Sequence, residues 1–330
     1  MIPHSAPSID SQELDAVNRV LRSGMLAQGR EVEAFEKEAA EFLQRRHAIA
    51  LSSGTAALHL ALAALGVGDT DSVYIPSYAC AALPNAVALQ HAQWLPVDNQ
   101  PSYNMDPTPI PPGSTVIVAH LFGEPAPIPA HCAVIEDIAQ SIGGPTGRAG
   151  LISITSFYAT KLMTTGEGGM AFTDDAGLAE AIRDLRDYDN RDDFHVRFNY
   201  KMTDIQAAMG RVQLIRLPLF IQRRREIAAR YLDAFKGLPI DLPNPDNHVF
   251  FRFVISSDQR DLLQASLRHT GIDAKRPVHH PAHFFFPEAS PTLFPGAERA
   301  HTRALSIPIY PSLIERDQNS VIESLLSCFS

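Results

Sequence analysis

The sequence predicts an α/β fold, in which a mostly parallel, mixed sheet covered by helices forms a large domain and a smaller α+β domain follows. Short apolar runs alternate with helical stretches through the first two thirds of the 330 residues, an alternation typical of parallel sheets. Turn residues bound the apolar runs, as expected of strands buried within a sheet. After Gln213 a long charged helix replaces the alternation, so we predict a large domain over 1–217 and a small one over 218–330.

Each predicted element has a signal of its own. The first helix opens with an aspartate and carries a polar face, and a proline-rich connection at 99–113 separates two strands. The predicted strands of the large domain are 47–51, 72–75, 93–97, 115–119, 133–136, 153–157 and 169–173. Its predicted helices are 11–21, 31–42, 55–65, 79–89 and 203–214. The small domain is predicted to contain the bridging helix 218–235, strand 248–254, helix 258–269 and terminal helix 315–328.

Composition and charge exclude several classes of protein. The net charge of −9 repels polyanions on average, so no nucleic-acid partner is expected. No apolar run approaches the roughly 18 residues of a membrane span, and the N-terminus lacks the features of a signal peptide. Cys80, Cys132 and Cys328 lie far apart, which argues against a disulfide framework and a structural zinc site. A cytoplasmic protein is expected.

Three segments carry the residue types that pyridoxal phosphate (PLP) requires. Asp137 ends an apolar strand, Lys161 lies in a loop of small residues, and Ser53-Gly-Thr55 opens a helix. The acid can hold the pyridine nitrogen protonated, the lysine can bond to the aldehyde, and the turn can bind the phosphate. Alone, these segments are more commonly a turn aspartate, a solvated lysine and a helix cap. Together and in this order they favour a cofactor site, where Gln140 either donates to the ring hydroxyl or packs at the surface.

These segments resemble the DegT/StrS family of sugar aminotransferases, which are fold-type I enzymes that use PLP. The resemblance covers nearly the whole chain, and its lysine, Glu-Asp and Asn-x-x-Met-Thr motifs are specific in combination. The matching segments are Leu26-Ala-Gln-Gly29, Val32-Glu-Ala-Phe-Glu36, Ser53-Gly-Thr-Ala-Ala-Leu58, Ile75-Pro-Ser-Tyr78, Glu136-Asp-Ile-Ala-Gln140, Ser156-Phe-Tyr-Ala-Thr-Lys161, Gly166-Glu-Gly-Gly169, Asn199-Tyr-Lys-Met-Thr-Asp204-Ile-Gln-Ala-Ala208 and Leu305-Ser-Ile-Pro-Ile-Tyr310-Pro-Ser-Leu313.

The resemblance implies roles around the cofactor ring. Lys161 is the catalytic residue and bonds to the cofactor. Asp137 faces the ring nitrogen, and Gln140 faces the ring hydroxyl. Tyr78 stacks on the ring.

It also implies how the phosphate is held. Gly54, Thr55 and Ser156 bind the phosphate within one subunit. Asn199 reaches the phosphate of the neighbouring subunit's cofactor. A homodimer with shared active sites follows from that assignment.

The implied activity is a ping-pong transamination between an amino-acid donor, expected to be glutamate, and a keto-sugar acceptor, expected to be nucleotide-linked. Two alternatives stay open: a dehydratase-like PLP enzyme and a non-catalytic PLP-binding regulatory protein. One subgroup of the family dehydrates sugars with histidine in place of the lysine, and Lys161 argues against that subgroup. A phosphate-binding dehydrogenase would need a Gly-x-Gly-x-x-Gly turn, which the sequence lacks.

Two further segments are candidates for substrate contact. Pro281 prevents the helical face on which zinc-binding histidines lie, so no metal is expected at the neighbouring histidines. Similar segments border the sugar pocket in the family, so we expect substrate contact from His279, His280 and His283. Arg191, with basic residues at 197 and 275–276, is a candidate patch for an anionic substrate, although solvated surface cations are commoner. A short connection at 121–132 leaves the pocket size open.

Overall fold

The computed structural model describes residues 1–286 and 290–329. Its strands are β1 (His47–Leu51), β2 (Ser72–Pro76), β3 (Gln93–Val97), β4 (Thr115–Ala119), β5 (Ala133–Asp137), β6 (Ile152–Ser156), β7 (Gly169–Thr173), β8 (Phe253–Ser256) and β9 (Ala304–Ile307). Its α-helices are α1 (Ser11–Ser23), α2 (Arg30–Leu43), α3 (Gly54–Ala64), α4 (Ala82–Leu89), α5 (Ala176–Arg186), α6 (Asp204–Ala234), α7 (Arg260–His269), α8 (Pro295–Arg303) and α9 (Glu315–Leu326).

The larger sheet has seven strands in the order β1-β7-β6-β5-β4-β2-β3. Neighbouring strands from β3 to β6 run parallel, whereas β7 is antiparallel to both β1 and β6. Apolar side chains of α3, α4 and α5 cover one face of this sheet, and those of α2 and α6 cover the other. The structure thus confirms the predicted mixed, mostly parallel sheet with helices on both faces.

Six strands of this sheet end at the same edge. Strands β1 to β6 all run in one direction, because β2 to β6 pair in parallel and β7 is antiparallel to both β6 and β1. The register places Ala119 beside Asp137 and Ser156 beside Gly169. The loops that follow these strands therefore converge at the carboxyl edge, where open α/β sheets bind ligands.

A second core forms around the antiparallel pair β8 and β9. It contains the buried side chains of Tyr231, Phe253 and Leu305 and is covered by α7 and α9. Ile2 forms a bridge with Ile272, so the first residues of the chain pack on this core rather than on the larger sheet. The C-terminal third thus has its own apolar interior, of mixed helix and strand.

Helix α6 corrects the predicted break before residue 218. Pro218 lies inside this 31-residue helix, although proline removes one i→i−4 hydrogen bond. Buried Leu214, Leu217 and Ile221 pack on either side of the proline and keep the helix continuous. The expected domain boundary between residues 217 and 218 falls within α6.

The strand predicted over 248–254 is also corrected, because β8 begins only at Phe253. Phe250 has a φ of 51°, in the left-handed region, and this interrupts an extended chain. The amide of Phe250 donates at 2.8 Å to Nδ1 of His248, which stabilises the bend. The predicted strand over 248–254 is therefore a turn followed by a short strand.

Candidate active site

Four of the predicted cofactor residues lie at the carboxyl edge of the larger sheet. Gly54 begins α3 directly after β1, Asp137 ends β5 and Ser156 ends β6. Lys161 follows β6 in an irregular loop that returns to β7 at the same edge. Residues that are far apart in sequence are therefore brought to one site by the ends of parallel strands.

Burial dominates the electrostatics of Asp137 and Lys161. It raises the pKa of Asp137, against the opposing effects of Lys161 and of the Ala139 amide, which donates to the carboxylate at 2.9 Å. It lowers the pKa of Lys161, against the opposing charges of Asp137 and Cys80. The Lys161 Nζ lies 5.2 Å from the ring centroid of Phe251. A lysine with a lowered pKa holds more of the neutral amine, which is its nucleophilic form.

The start of α3 is suited to bind an anion. Ser53 caps the helix, and its hydroxyl accepts a hydrogen bond from the Ala56 amide at 3.0 Å. A Cβ placed on Gly54 would lie 2.7 Å from the Cβ of Ser156, so only glycine lets these two segments meet. Thr55 follows in the first turn and is half-buried. The first-turn amides and the helix dipole favour a phosphate beside Ser156.

Gln140 is held in a fixed orientation. Its side-chain oxygen accepts a hydrogen bond from the Phe122 amide at 2.8 Å. The amide nitrogen of Gln140 is therefore left as its hydrogen-bond donor. A donor is what contact with the ring hydroxyl requires, and that contact stays a prediction.

Asn199 lies on the surface between α5 and α6. Its side chain is exposed, whereas its neighbours are anchored: the Phe198 amide donates to the Leu185 carbonyl and the Tyr200 amide to the Arg186 carbonyl. A fixed backbone with an exposed amide side chain is accessible to a second copy of the chain.

Tyr78 corrects one expectation. Its side chain is fully buried, its hydroxyl donates to the Ala300 carbonyl at 3.4 Å, and its ring packs near Tyr103 and Phe122. No face of this ring is open, so Tyr78 cannot stack on a cofactor. The residue of this loop that combines exposure with an electrostatic effect on Lys161 is Cys80.

His283 corrects a second expectation. It is buried, and its two ring nitrogens are engaged, Nδ1 with the Ser77 hydroxyl at 2.6 Å and Nε2 with the Glu298 carboxylate at 2.9 Å. Both contacts tie the segment to the fold, so His283 is not free to bind a substrate. His279 and His280 are exposed, with ring centroids 4.1 Å apart, and their contact with the substrate stays a prediction.

The expected basic patch around Arg191 is charge-compensated. Arg191 lies 3.3 Å from an Asp184 oxygen, and the guanidinium of Arg197 binds both Asp184 and Asp193 at 3.0 and 2.7 Å. Arg191 also donates to backbone carbonyls at the end of α5. The segment 275–276 is likewise compensated, with ion pairs to Asp273 and, at 3.7 Å, to Asp261. Neither group of cations is a free anion site, which corrects the predicted patch.

Phe251 and Arg252 lie near the site and were not predicted. Phe251 contacts Lys161, and the guanidinium carbon of Arg252 lies 4.4 Å from the same ring centroid. The signal available in the sequence was a single cation within the apolar run 249–255, an arrangement that is uncommon in a buried segment.

Two absences hold for residues 1–286 and 290–329. None of their histidine, cysteine, aspartate and glutamate side chains form a group of three or more that could hold a metal ion. None of their helices combines the length and apolar character that crossing a bilayer requires.

The residues present fit PLP. The half-buried Asp137 carboxylate has no ion pair within 4.0 Å in the described ranges, and a protonated pyridine nitrogen would supply a cation. The close approach of Gly54 to Ser156 places the start of α3 beside Ser156, where a helix N-terminus favours phosphate oxygens. Lys161 offers an amine of lowered pKa to the aldehyde.

Comparisons with known proteins agree with this site. The family model described as the DegT/DnrJ/EryC1/StrS aminotransferase family matches residues 7–326. The chain is 33% identical to the GDP-perosamine synthase of Caulobacter vibrioides, with 97% of this chain and 96% of that protein covered. It is similar to the structure of S. venezuelae DesV in complex with a ketimine intermediate, at 33% identity, a TM-score of 0.90, and 96% and 94% coverage. The structure of Bacillus subtilis NtdA with bound cofactor PMP is similar too, at 27% identity, a TM-score of 0.89, and 96% and 81% coverage.

Proposed function

Because the chain belongs to the DegT/DnrJ/EryC1/StrS aminotransferase family, we propose that it moves an amino group from glutamate to a keto sugar linked to a nucleotide. The chain is a PLP-dependent transaminase that acts on sugars. The identity of the donor and the nucleotide on the acceptor are the proposed parts. The transaminase chemistry rests on the half-buried pair of Asp137 and Lys161 at the carboxyl edge of the sheet. The similarity to a GDP-perosamine synthase supports the nucleotide on the acceptor.

When bound, PLP supplies an aldehyde that reacts with amines and a ring that withdraws electrons. Asp137 would keep the ring nitrogen protonated, because a half-buried carboxylate without an ion pair favours a nearby cation. Gln140 would donate to the ring hydroxyl. Gly54, Thr55 and Ser156 would bind the phosphate at the start of α3. These contacts orient the cofactor without requiring movement of the sheet.

Lys161 would serve first as the point of attachment and then as the proton carrier. Its amine would stay tethered beside the reacting carbon. Burial lowers its pKa, so the amine can accept the Cα proton and return it to the cofactor carbon where the aldehyde was. Water is restricted on one side of Lys161 by the ring of Phe251.

The test of Lys161 is spectroscopic. Protein with PLP should show the absorption band of the lysine-bound cofactor, and glutamate should bleach it. Lys161→Ala should bind the cofactor without this band and lose turnover, whereas Lys236→Ala, at an exposed helix end, should behave as the parent. Turnover by Lys161→Ala would refute the assigned role. A band that no amino acid bleaches would favour the regulatory protein, and release of water from a sugar would favour the dehydratase.

The acceptor is tested in the second half-reaction. The aminated cofactor form, made with glutamate, is mixed with a panel of nucleotide-linked and unlinked keto sugars. Return of the original band with nucleotide-linked sugars supports the proposed acceptor. Return with uncharged ketones alone would overturn the nucleotide link and leave the transaminase intact. In either case, substitution of His279 and His280 by alanine should raise the KM for the acceptor.

A shared active site is proposed from the exposure of Asn199. Lys161→Ala and Asn199→Asp protomers, each inactive alone, should regain activity when mixed, because one site of a mixed dimer is complete. Each variant mixed with itself is the control. A monomeric mass in solution, with no recovery, would contradict the dimer. The cytoplasmic location stays a prediction of the sequence.

A further inference from the structure

A cavity of about 470 Å³ lies between the larger sheet and the second core. Its walls come from the connection after β3, the turn after β4, the segment before β8, and helix α8. The residues that matter for its chemistry are Tyr103, Glu124, Asp241, Arg252, Arg299 and Arg303. This volume is within the range of small-molecule sites and exceeds what the few heavy atoms of glutamate fill.

Arg252 is the unusual residue in this wall. Its Nη1 is buried without a hydrogen-bond partner within the described ranges. The same ranges contain no carboxylate in an ion pair with it, whereas Arg303 lies 3.3 Å from Asp241 and 3.4 Å from Asp258. Burial lowers the pKa of Arg252 to about 10, which leaves it cationic at neutral pH. A buried cation without a counter-ion destabilises a fold, so its presence here indicates a ligand that supplies the negative charge.

The cavity is cationic overall. Three arginines line it, at positions 252, 299 and 303, against the carboxylates of Glu124 and Asp241. Arg299 is exposed to solvent at the wall, and no ion pair engages it in the described part of the chain. His248 adds no charge, because burial lowers its pKa to about 3. An anionic ligand would therefore find both a half-buried guanidinium, at Arg252, and an accessible one, at Arg299.

The cavity adjoins the catalytic lysine through one side chain. The Lys161 Nζ lies 5.2 Å and the Arg252 guanidinium carbon 4.4 Å from the centroid of the Phe251 ring. The Phe122 turn joins the two regions as well, since its amide donates to Gln140 and its carbonyl accepts from the Arg252 amide. The Arg252 guanidinium carbon and the Lys161 Nζ are therefore at most about 10 Å apart, the sum of their distances to the Phe251 centroid.

We propose that this cavity binds the phosphate-bearing part of the acceptor sugar and that Arg252 is its buried oxyanion ligand. The planar guanidinium matches two phosphate oxygens at once, and Arg299 supplies a second cation at the entrance. The inference rests on the proposed function and adds the location of the anionic group. It replaces the compensated cations near Arg191 as the anion site.

Calorimetry with UDP, GDP and dTDP on the holoenzyme tests the subsite directly. The parent protein should bind one or more of them, and Arg252→Gln should weaken that binding about 10- to 100-fold, the loss expected for a charge-assisted hydrogen bond. Arg252→Lys keeps the charge and should bind between the two. Arg316→Gln, at an exposed position paired with the adjacent Asp317, is the matched control. The thermal midpoint should be unchanged or raised in Arg252→Gln, because an unpaired buried cation is removed.

Separate measurement of the two half-reactions distinguishes the phosphate of the acceptor from the carboxylate of the donor as the ligand of Arg252. Arg252→Gln should raise the KM for the nucleotide-linked acceptor much more than it changes the glutamate half-reaction, on which the Arg252 charge acts only by lowering the pKa of Lys161. Loss confined to the glutamate half-reaction would make Arg252 a ligand of the donor carboxylate and overturn the proposal. Equal binding of the nucleotides by parent and Arg252→Gln, or no binding by the parent, would overturn it as well. Failure of the proposed function is a different result, namely no bleaching by glutamate, and it leaves the binding comparison readable.

Discussion

Glu136 and Asp137 are neighbouring carboxylates at the end of β5, and their surroundings are opposite. Successive side chains of a strand point to opposite faces of the sheet, so the two acids enter different environments. Glu136 accepts four hydrogen bonds of 3.1 Å or less, from Nε2 of His120 and the amides of Gly147, Ala149 and Gly150. Within the described part of the chain, Asp137 accepts one hydrogen bond, from the Ala139 amide.

The pKa values of the two carboxyl groups follow from this difference. Burial alone would raise the pKa of Glu136, but hydrogen bonds from His120 and the backbone lower it to about 2. Burial raises the pKa of Asp137, because its few partners do not compensate. A buried acid whose partners are all in the fold stabilises the fold, whereas a buried acid that lacks them is available to a ligand.

The largest expected effect is on activity, at Asp137. Asp137→Asn keeps the shape but cannot hold the ring nitrogen protonated, so kcat/KM should fall about 10²- to 10³-fold, as for other removed electrostatic partners of a reacting group. The thermal midpoint should change little. Steady-state kinetics and thermal unfolding of the holoenzyme check both parts. Near-parental turnover in Asp137→Asn would contradict the functional role of Asp137.

The second effect is on stability, at Glu136. Its folded pKa of about 2, against an ordinary 4.5, contributes roughly 3 kcal/mol that is present above pH 4.5 and lost as the pH falls towards 2. Glu136→Gln should lose about this much, because an amide group places donors opposite backbone donors. Denaturant unfolding between pH 3 and 7 measures it, and stability should rise more steeply with pH in the parent than in the variant. Equal slopes would contradict the structural role.

The third effect is on the pKa of Lys161, which the charge of Asp137 influences. In protein freed of PLP, burial lowers the pKa of Lys161 below 10.5, and Asp137 opposes that shift. Asp137→Asn should therefore lower the pKa of Lys161 further, so its amine becomes reactive at lower pH. Mass spectrometry after amine modification across a pH series compares Lys161 with exposed Lys236. The same pH dependence for both lysines would show that burial does not act on Lys161.

The smallest expected effect is on the alkylation of Cys80, and it tests whether this residue borders the cofactor site. Cys80 is exposed and acts electrostatically on Lys161, so bound PLP should slow its alkylation. Cys132 and Cys328 are the internal references, since both lie away from the carboxyl edge of the sheet. Alkylation is followed by peptide mass spectrometry with and without the cofactor. Unchanged labelling of Cys80 would place it outside the site.

The sequence predicts the sheet and the pair of Asp137 and Lys161 well, because strand ends fix where such residues lie. It does not predict which side chain of the turn 77–81 faces the site, since an irregular turn has no periodicity, and Tyr78 was therefore misassigned. The burial of His283 depends on Ser77, which is distant in sequence, and no local pattern reports that contact. Pro218 likewise breaks helices in isolation, whereas packing overrides it here.

Helix α6 sets the spacing between the two halves of the site. Gln213 accepts from the Thr164 amide in the lysine loop at 3.1 Å, and Arg224 donates to the carbonyls of Phe250 and Phe251 beside Arg252. These anchors are separated by about 16 Å of continuous helix. One inserted residue between them would turn everything beyond it by about 100° and disconnect the lysine loop from the anion cavity. We therefore expect an inserted or deleted residue to be tolerated in the surface connections but not in this stretch of helix, whose length fixes the spacing between the two regions.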